Sequence, residues 1–208
     1  MSFRHEIRQA TQTAHEALDQ YVDGLGLLDS GDGFQRFLET QALAHRGMEA
    51  RFAALPAALR AQVACATGPL SPNPPRSRLA AVDAGWSEAI LERRIAETPP
   101  PPDIATPAAL WGAFYVVEGS ALGARVIRKR LLERGVVLDG RDRFLGSADR
   151  DGAARWRAVA TGLDARAWSA DDKADAIGAA EACFSWFRRL FETGARATPP
   201  DFANASEP

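Results

Sequence analysis

Apolar residues recur at steps of three and four along most of the chain, and the strict alternation that marks half-buried strands is nearly absent. That periodicity restricts the chain to a helical architecture. Phe3, Ile7, Ala10, Ala14, Leu18 and Tyr21 form one stripe on a first helix of about five turns. Asp23-Gly24 is a turn pair that ends it, and residues 26–33 read as a loop. Phe34, Leu38, Gln41, His45, Met48 and Phe52 mark a second helix that stops before Pro56. Residues 68–75 read as a connection, and 78–97 as a weaker helical region interrupted near Gly85. Four consecutive prolines after Thr98 then make a polyproline spacer.

Thr106-Pro107 has the form of a helix start, with a hydroxyl N-cap and proline at the first helical position. The long helix that follows reaches Arg134, with Gly135 placed to terminate it. Residues 136–151 read as a loop, and two more helices are expected over 152–163 and 170–192. The expected fold is all-α: one domain of six to eight helices over residues 1–193, and a flexible tail over 194–208.

Composition removes several function classes. The chain has 208 residues, 46% of them hydrophobic, which supports one core and excludes disorder along the whole length. Lys+Arg 25 against Asp+Glu 27 lacks the basic excess of a nucleic-acid binder. Cys65 and Cys183 lie far apart without CxxC spacing, which argues against a disulfide scaffold or zinc knuckle and suits a reducing compartment. Arg4, His5, Glu6 and Arg8 interrupt any signal-peptide core, and the longest apolar stretch, 110–117, is too short to span a membrane. The expectation is a soluble cytoplasmic protein. Neither a GxSxG elbow, a P-loop nor a dinucleotide fingerprint is present.

Three histidines carry the remaining chemistry. His15 borders the first helix's stripe, with Arg8 seven residues before it and Asp19 four after, all on nearly one face. An imidazole with a carboxylate to orient it suits a metal or heme site; the same triple also occurs on solvated helix faces. His45 lies within the second stripe, as a core histidine or a second ligand, and His5 reads as surface. No HExxH or paired ExxH motif is present, which disfavours a di-iron bundle.

The long helix contains Gly119-Ser120-Ala121-Leu122-Gly123. Each glycine there costs about 1 kcal/mol relative to alanine. Two of them four apart clear one side of the helix, so that another helix or a flat ligand can approach the backbone, with a kink permitted. Trp111, Phe114, Tyr115, Val116 and Val117 precede them and suggest a pocket. Arg125, Arg128, Lys129 and Arg130 follow, either as a solvated face complementing the helix dipole or as a docking patch for an acidic protein.

Arg8-Gln-Ala-Thr-Gln-Thr-Ala-His15-Glu-Ala-Leu-Asp19 resembles the proximal helix of heme oxygenases, and Gly112-Ala-Phe-Tyr-Val-Val-Glu-Gly119-Ser-Ala-Leu-Gly123-Ala resembles their distal helix in its bacterial form. Phe184-Ser-Trp-Phe187 is similar to the family's aromatic last helix, so the resemblance spans residues 3–192. It implies heme held between the first helix and a glycine-kinked distal helix. His15 would be the axial iron ligand and Asp19 its hydrogen-bonding partner. Gly119 and Gly123 would lie over the distal face, and Arg8 and Tyr115 would contact the propionates. The implied reaction opens heme to biliverdin, releasing CO and ferrous iron and consuming O2 and electrons from a ferredoxin or reductase. Gly119, Ser120 and Gly123 would be the catalytic positions.

The product would serve iron acquisition or supply a bilin chromophore to a bacteriophytochrome, and the architecture implies a monomer. Mammalian-type members carry aspartate where this chain has Ser120, so the distal water network must be anchored elsewhere; Asp103, Arg125 and Asp142 are candidates. Ala121 also stands where some bacterial relatives have a polar residue. Two alternatives accompany the resemblance. One is a heme carrier or sensor that leaves the ring intact. The other is a heme-free, thiaminase-like hydrolase, with Cys183 as its most obvious nucleophile.

Overall fold

The structure, a computed structural model, describes residues 2–61, 75–147 and 152–194. Cys65, most of the 68–75 connection, the end of the 136–151 segment and nearly all of the expected tail lie outside the described residues. The named helices are α1 (Phe3–Gly24), α2 (Gly31–Ala53), α3 (Arg76–Asp83), α4 (Glu88–Ile95), α5 (Pro107–Glu133), α6 (Arg143–Ser147), α7 (Ala153–Ala165) and α8 (Ala170–Gly194). Residues 57–61 are also helical, and no strand occurs among the described residues. Among them, no helix is long and apolar enough to cross a membrane.

Local chemistry accounts for the element ends. The Thr106 hydroxyl accepts from the Ala109 N–H at 3.1 Å, with Pro107 in the first turn of α5. Gly135, past the other end, has φ +72°, a conformation that favours glycine. Two segments expected to be loops contain helix. Ser30 Oγ accepts from the Gly33 N–H at 3.0 Å, so α2 starts at Gly31 inside the expected 26–33 loop. Short α6 forms within the expected 136–151 loop because buried Asp83 accepts from the Phe144 N–H at 2.8 Å and pairs with Arg143 at 3.1 Å. The last helix, α8, includes Gly194, which was expected to begin the tail.

The long helix α5 runs through the middle. It crosses α8 and carries α7 on another side, while α8 also packs on α1 and α2. One core cluster includes Phe3, Ile7, Met48, Trp111, Phe114 and Trp186; a second includes Phe34, Leu38, Leu91, Leu131 and Phe144. The α5–α8 crossing depends on Gly112, where a Cβ would collide with the carbonyl oxygen of Ala176. The helix α5 runs from Pro107 to Glu133 with Gly119 and Gly123 inside it, so both glycines lie within one helix as expected.

Candidate functional site

α1 and α5 do not pack closely backbone to backbone but are joined through Thr11 and Tyr115 at one end and Asp23 and Arg130 at the other, and the space between these ties is a candidate slot. The stripe on α1 is only partly buried: Phe3, Ile7 and Thr11 are covered, whereas Ala14, Leu18 and Tyr21 are half-exposed. Arg8, His15, Asp19 and Asp23 share the face of α1 toward the slot. The His15 ring rests 5.3 Å from the ring of Phe184 on α8, yet its side chain is 57% exposed. His15 Nε2 is 3.6 Å from Asp19 Oδ2, too long for a direct hydrogen bond but within reach of a water. Partial burial raises the Asp19 carboxyl above the usual carboxylate value, Asp23 adding to the rise while His15 and Arg130 oppose it.

Tyr115, Gly119, Leu122, Val126 and Arg130 fall on one face of α5. Leu122 and Val126 are 49% and 57% exposed, an unusual display of aliphatic surface at the middle of a central helix. Gly123, beside them, has open space where a Cβ would stand. At Gly119 a Cβ would lie 3.2 Å from the ring of Trp156, which packs 5.5 Å from the Tyr115 ring. The slot is bounded at both ends. Burial raises the Tyr115 phenol above its ordinary value, opposed by hydrogen bonding with Thr11 and by the Arg8 charge. At the far end Arg130 donates to both carboxylate oxygens of Asp23, at 2.8 and 3.0 Å.

Behind α5 a polar column runs inward from exposed Ser120 to buried Arg76, Glu118 and His45. Ser120 Oγ donates to the Val117 carbonyl at 2.7 Å and accepts from Arg76 Nη1 at 3.1 Å. Arg76 is 2% exposed, and burial lowers its guanidinium to about 10, with Glu118 and Glu49 opposing the drop and Arg155 adding to it. Arg155 donates to Glu118 at 2.8 Å inside the same region. His45 is buried, and its Nε2, like the Nε of Arg76, has no hydrogen-bond partner among the described residues. Burial holds the His45 imidazole well below its ordinary value, and the charges of Arg76 and Arg155 reinforce this.

A pH dependence follows from His45. A base with a depressed folded pKa stays neutral in the native chain, while the unfolded chain takes up a proton near the ordinary imidazole value of 6.5. Its stability contribution is therefore full above that value and is lost as pH falls below it. Denaturant midpoints measured from pH 7.5 to 5.5 should fall in the native chain, and fall less in His45→Leu.

No family model matches the chain. Among curated proteins, a heme oxygenase of Xanthomonas campestris pv. campestris (strain 8004) is 41% identical to it over 96 residues. That match takes in 46% of this chain and 58% of the relative's length. Among solved structures, the NO- and CO-bound heme oxygenase from Neisseria meningitidis superposes with a TM-score of 0.70 at 19% identity, covering 96% of this chain and 95% of that one. The fold is that of a heme oxygenase.

Within this heme oxygenase fold, Arg8, His15 and Asp19 lie along one face of α1, and Tyr115, Gly119 and Gly123 lie along α5, with the Arg8 charge felt at Tyr115. Ser120 follows Gly119, its hydroxyl turned back to Arg76. Two candidates for anchoring a water network are tied up in ion pairs: Asp103 with Arg51 at 3.3 Å, and Asp142 with Arg128 at 3.0 Å. The charged groups nearest Ser120 are Arg76, which donates to it, and the Arg155–Glu118 pair behind it, none of which the sequence reading singled out. Arg76 follows a proline-rich connection and carries no motif, whereas Glu118 lies inside the distal-helix stretch but was given no role there. Of the basic cluster, Lys129 pairs with Glu133, and Arg128 and Arg130 with Asp142 and Asp23. Cys183 is buried and its thiol is pushed up to about 12, which removes it as a nucleophile.

Proposed function

We propose that this chain is a heme oxygenase, which opens heme to biliverdin with release of CO and ferrous iron. One observation carries the reading. An exposed imidazole stands on α1, while α5 carries a glycine with open space at its Cβ position beside exposed Leu122 and Val126, and the Arg8 cation and Tyr115 phenol lie at one end. A flat, largely apolar macrocycle with one metal and carboxylates at one edge matches that donor set.

Heme supplies the redox iron that activates O2 and is itself the molecule opened. The protein's share is positional. His15 would offer an imidazole nitrogen as the one protein ligand to iron, and Asp19, through a water, would hold the ring's orientation. Gly123, with open space at its Cβ position, would let the backbone of α5 approach the ring, and Gly119 would do so where Trp156 leaves room. Leu122 and Val126 exclude water from its apolar edge, and Arg8 and Tyr115 hold the propionates. Ser120 links the slot to Arg76, and this column, with its unpartnered His45 and Arg76 nitrogens, can hold water and keep protons available beside the distal face.

We place the reaction in the cytoplasm, with electrons from a ferredoxin or reductase docking near Arg125, Arg128, Lys129 and Arg130. The chain works as a monomer, and its bilin serves iron release or a bacteriophytochrome. Hemin titration should saturate at one heme per chain. Ascorbate in air, with catalase present, should then remove the Soret band and raise a broad red biliverdin absorbance. A Soret band that survives the reductant would instead make the protein a heme carrier. That outcome has its own motive, since Ser120 supplies no carboxylate to the distal face.

A further inference from the structure

The helices α1 and α5 form the two walls of the slot, yet their backbones do not pack closely; α1 is seated on α8 and α7 instead. Something else must set the gap between them. At the end away from Arg8 and Tyr115, the Arg130 guanidinium grips Asp23 in the last turn of α1 with both donors in fork geometry, at 2.8 and 3.0 Å. Four residues on, Arg134, which caps the end of α5, pairs with Asp29 in the segment joining α1 to α2. The two arginines are four apart, on one side of the helix, and their two acceptors bracket the end of α1. Two parallel ties from one rigid helix restrict both separation and rotation, which a single ion pair cannot do.

We infer that Asp23–Arg130 and Asp29–Arg134 form an ionic clasp that sets the width of the slot and retains the molecule bound in it. The inference rests on the heme reading for the identity of that molecule, and on the ion-pair geometry for the clasp itself. Asp23 and Arg130 are positioning residues: they act through the spacing of His15 from Gly119 and Gly123. All four side chains are partly exposed, so the ties can open and close. Ion pairs of this kind weaken as salt rises.

The test uses the heme-loaded full chain, with heme loss followed by transfer to an excess of a heme-scavenging protein. Asp23→Asn and Arg130→Gln should each speed loss by about fivefold, the size expected for one exposed ion pair of good geometry. In each variant the dependence of the rate on salt should be shallower than in the native chain. The charge swap Asp23→Arg with Arg130→Asp should restore slow loss, which an effect of altered side-chain packing alone would not predict. Amide hydrogen exchange over residues 19–24 of the heme-free chain gives a second reading that needs no ligand. It should quicken in the single variants and slow again in the swap.

Unchanged exchange and unchanged heme loss in the single variants would overturn the clasp. So would a swap that behaves no better than either variant. Failure of the native chain to take heme would overturn the functional reading, while the exchange data would still decide the clasp.

Discussion

His15→Ala is expected to fold like the native chain and to lose heme opening by about a hundredfold or more, the scale on which removal of a sole protein ligand exceeds the loss of its orienting partner. The side chain is more than half exposed and touches mainly Phe184, so its removal costs the fold little. The variant still offers an apolar slot with Arg8 and Tyr115 at its end, so some heme should enter without iron coordination. The Soret band would then be broad and displaced. Adding imidazole should restore the native spectrum and part of the turnover, because the cavity left by the side chain admits the same ring. Full biliverdin formation by His15→Ala without imidazole would remove His15 from the role given to it.

The second large effect separates two glycines of one helix. Gly112→Ala should destabilise the protein by about 3 kcal/mol, because the new methyl meets backbone at the α5–α8 crossing and only a shift of the helices relieves it. For a chain of this size that is a fall of roughly 10 °C in melting temperature. Gly123→Ala has the opposite sign. Open space surrounds its Cβ position, and alanine is the better helix former by about 1 kcal/mol. The heme-free Gly123→Ala chain should melt higher while binding heme more weakly, since the methyl stands where the ring must approach the backbone. Calorimetry with and without heme reads both effects. A Gly123→Ala variant that binds heme as the native chain does would show that the slot does not use this glycine.

The contrast between Gly112 and Gly123 also shows what can be read from residues alone. Helical periodicity, the Thr106-Pro107 start and the Gly135 stop are local properties, and each is found where expected. The pairing of His15 with Asp19 is likewise local, one helical turn apart. The structure separates two roles that glycines on one helix share in sequence: Gly112 admits a helix, whereas Gly123 faces open space. Nothing near Arg76 in sequence indicates that it reaches Ser120, since that contact joins residues 44 apart and rests on tertiary packing. The Asp23–Arg130 tie is more distant still, 107 residues apart. Short α6 was illegible for a related reason: its start is held by Asp83, at the end of another helix.

The most direct measurement is the yield of CO from a single turnover. The heme-loaded chain is given reductant and air, and the CO released is trapped on deoxymyoglobin and counted. One CO per heme, appearing in step with the loss of the Soret band, is the predicted result, because opening the ring expels one meso carbon. Loss of the Soret band without CO would mean that heme is destroyed by a different route, and an unchanged heme would mean that the slot holds its ligand without opening it. Either of those results would contradict the oxygenase assignment.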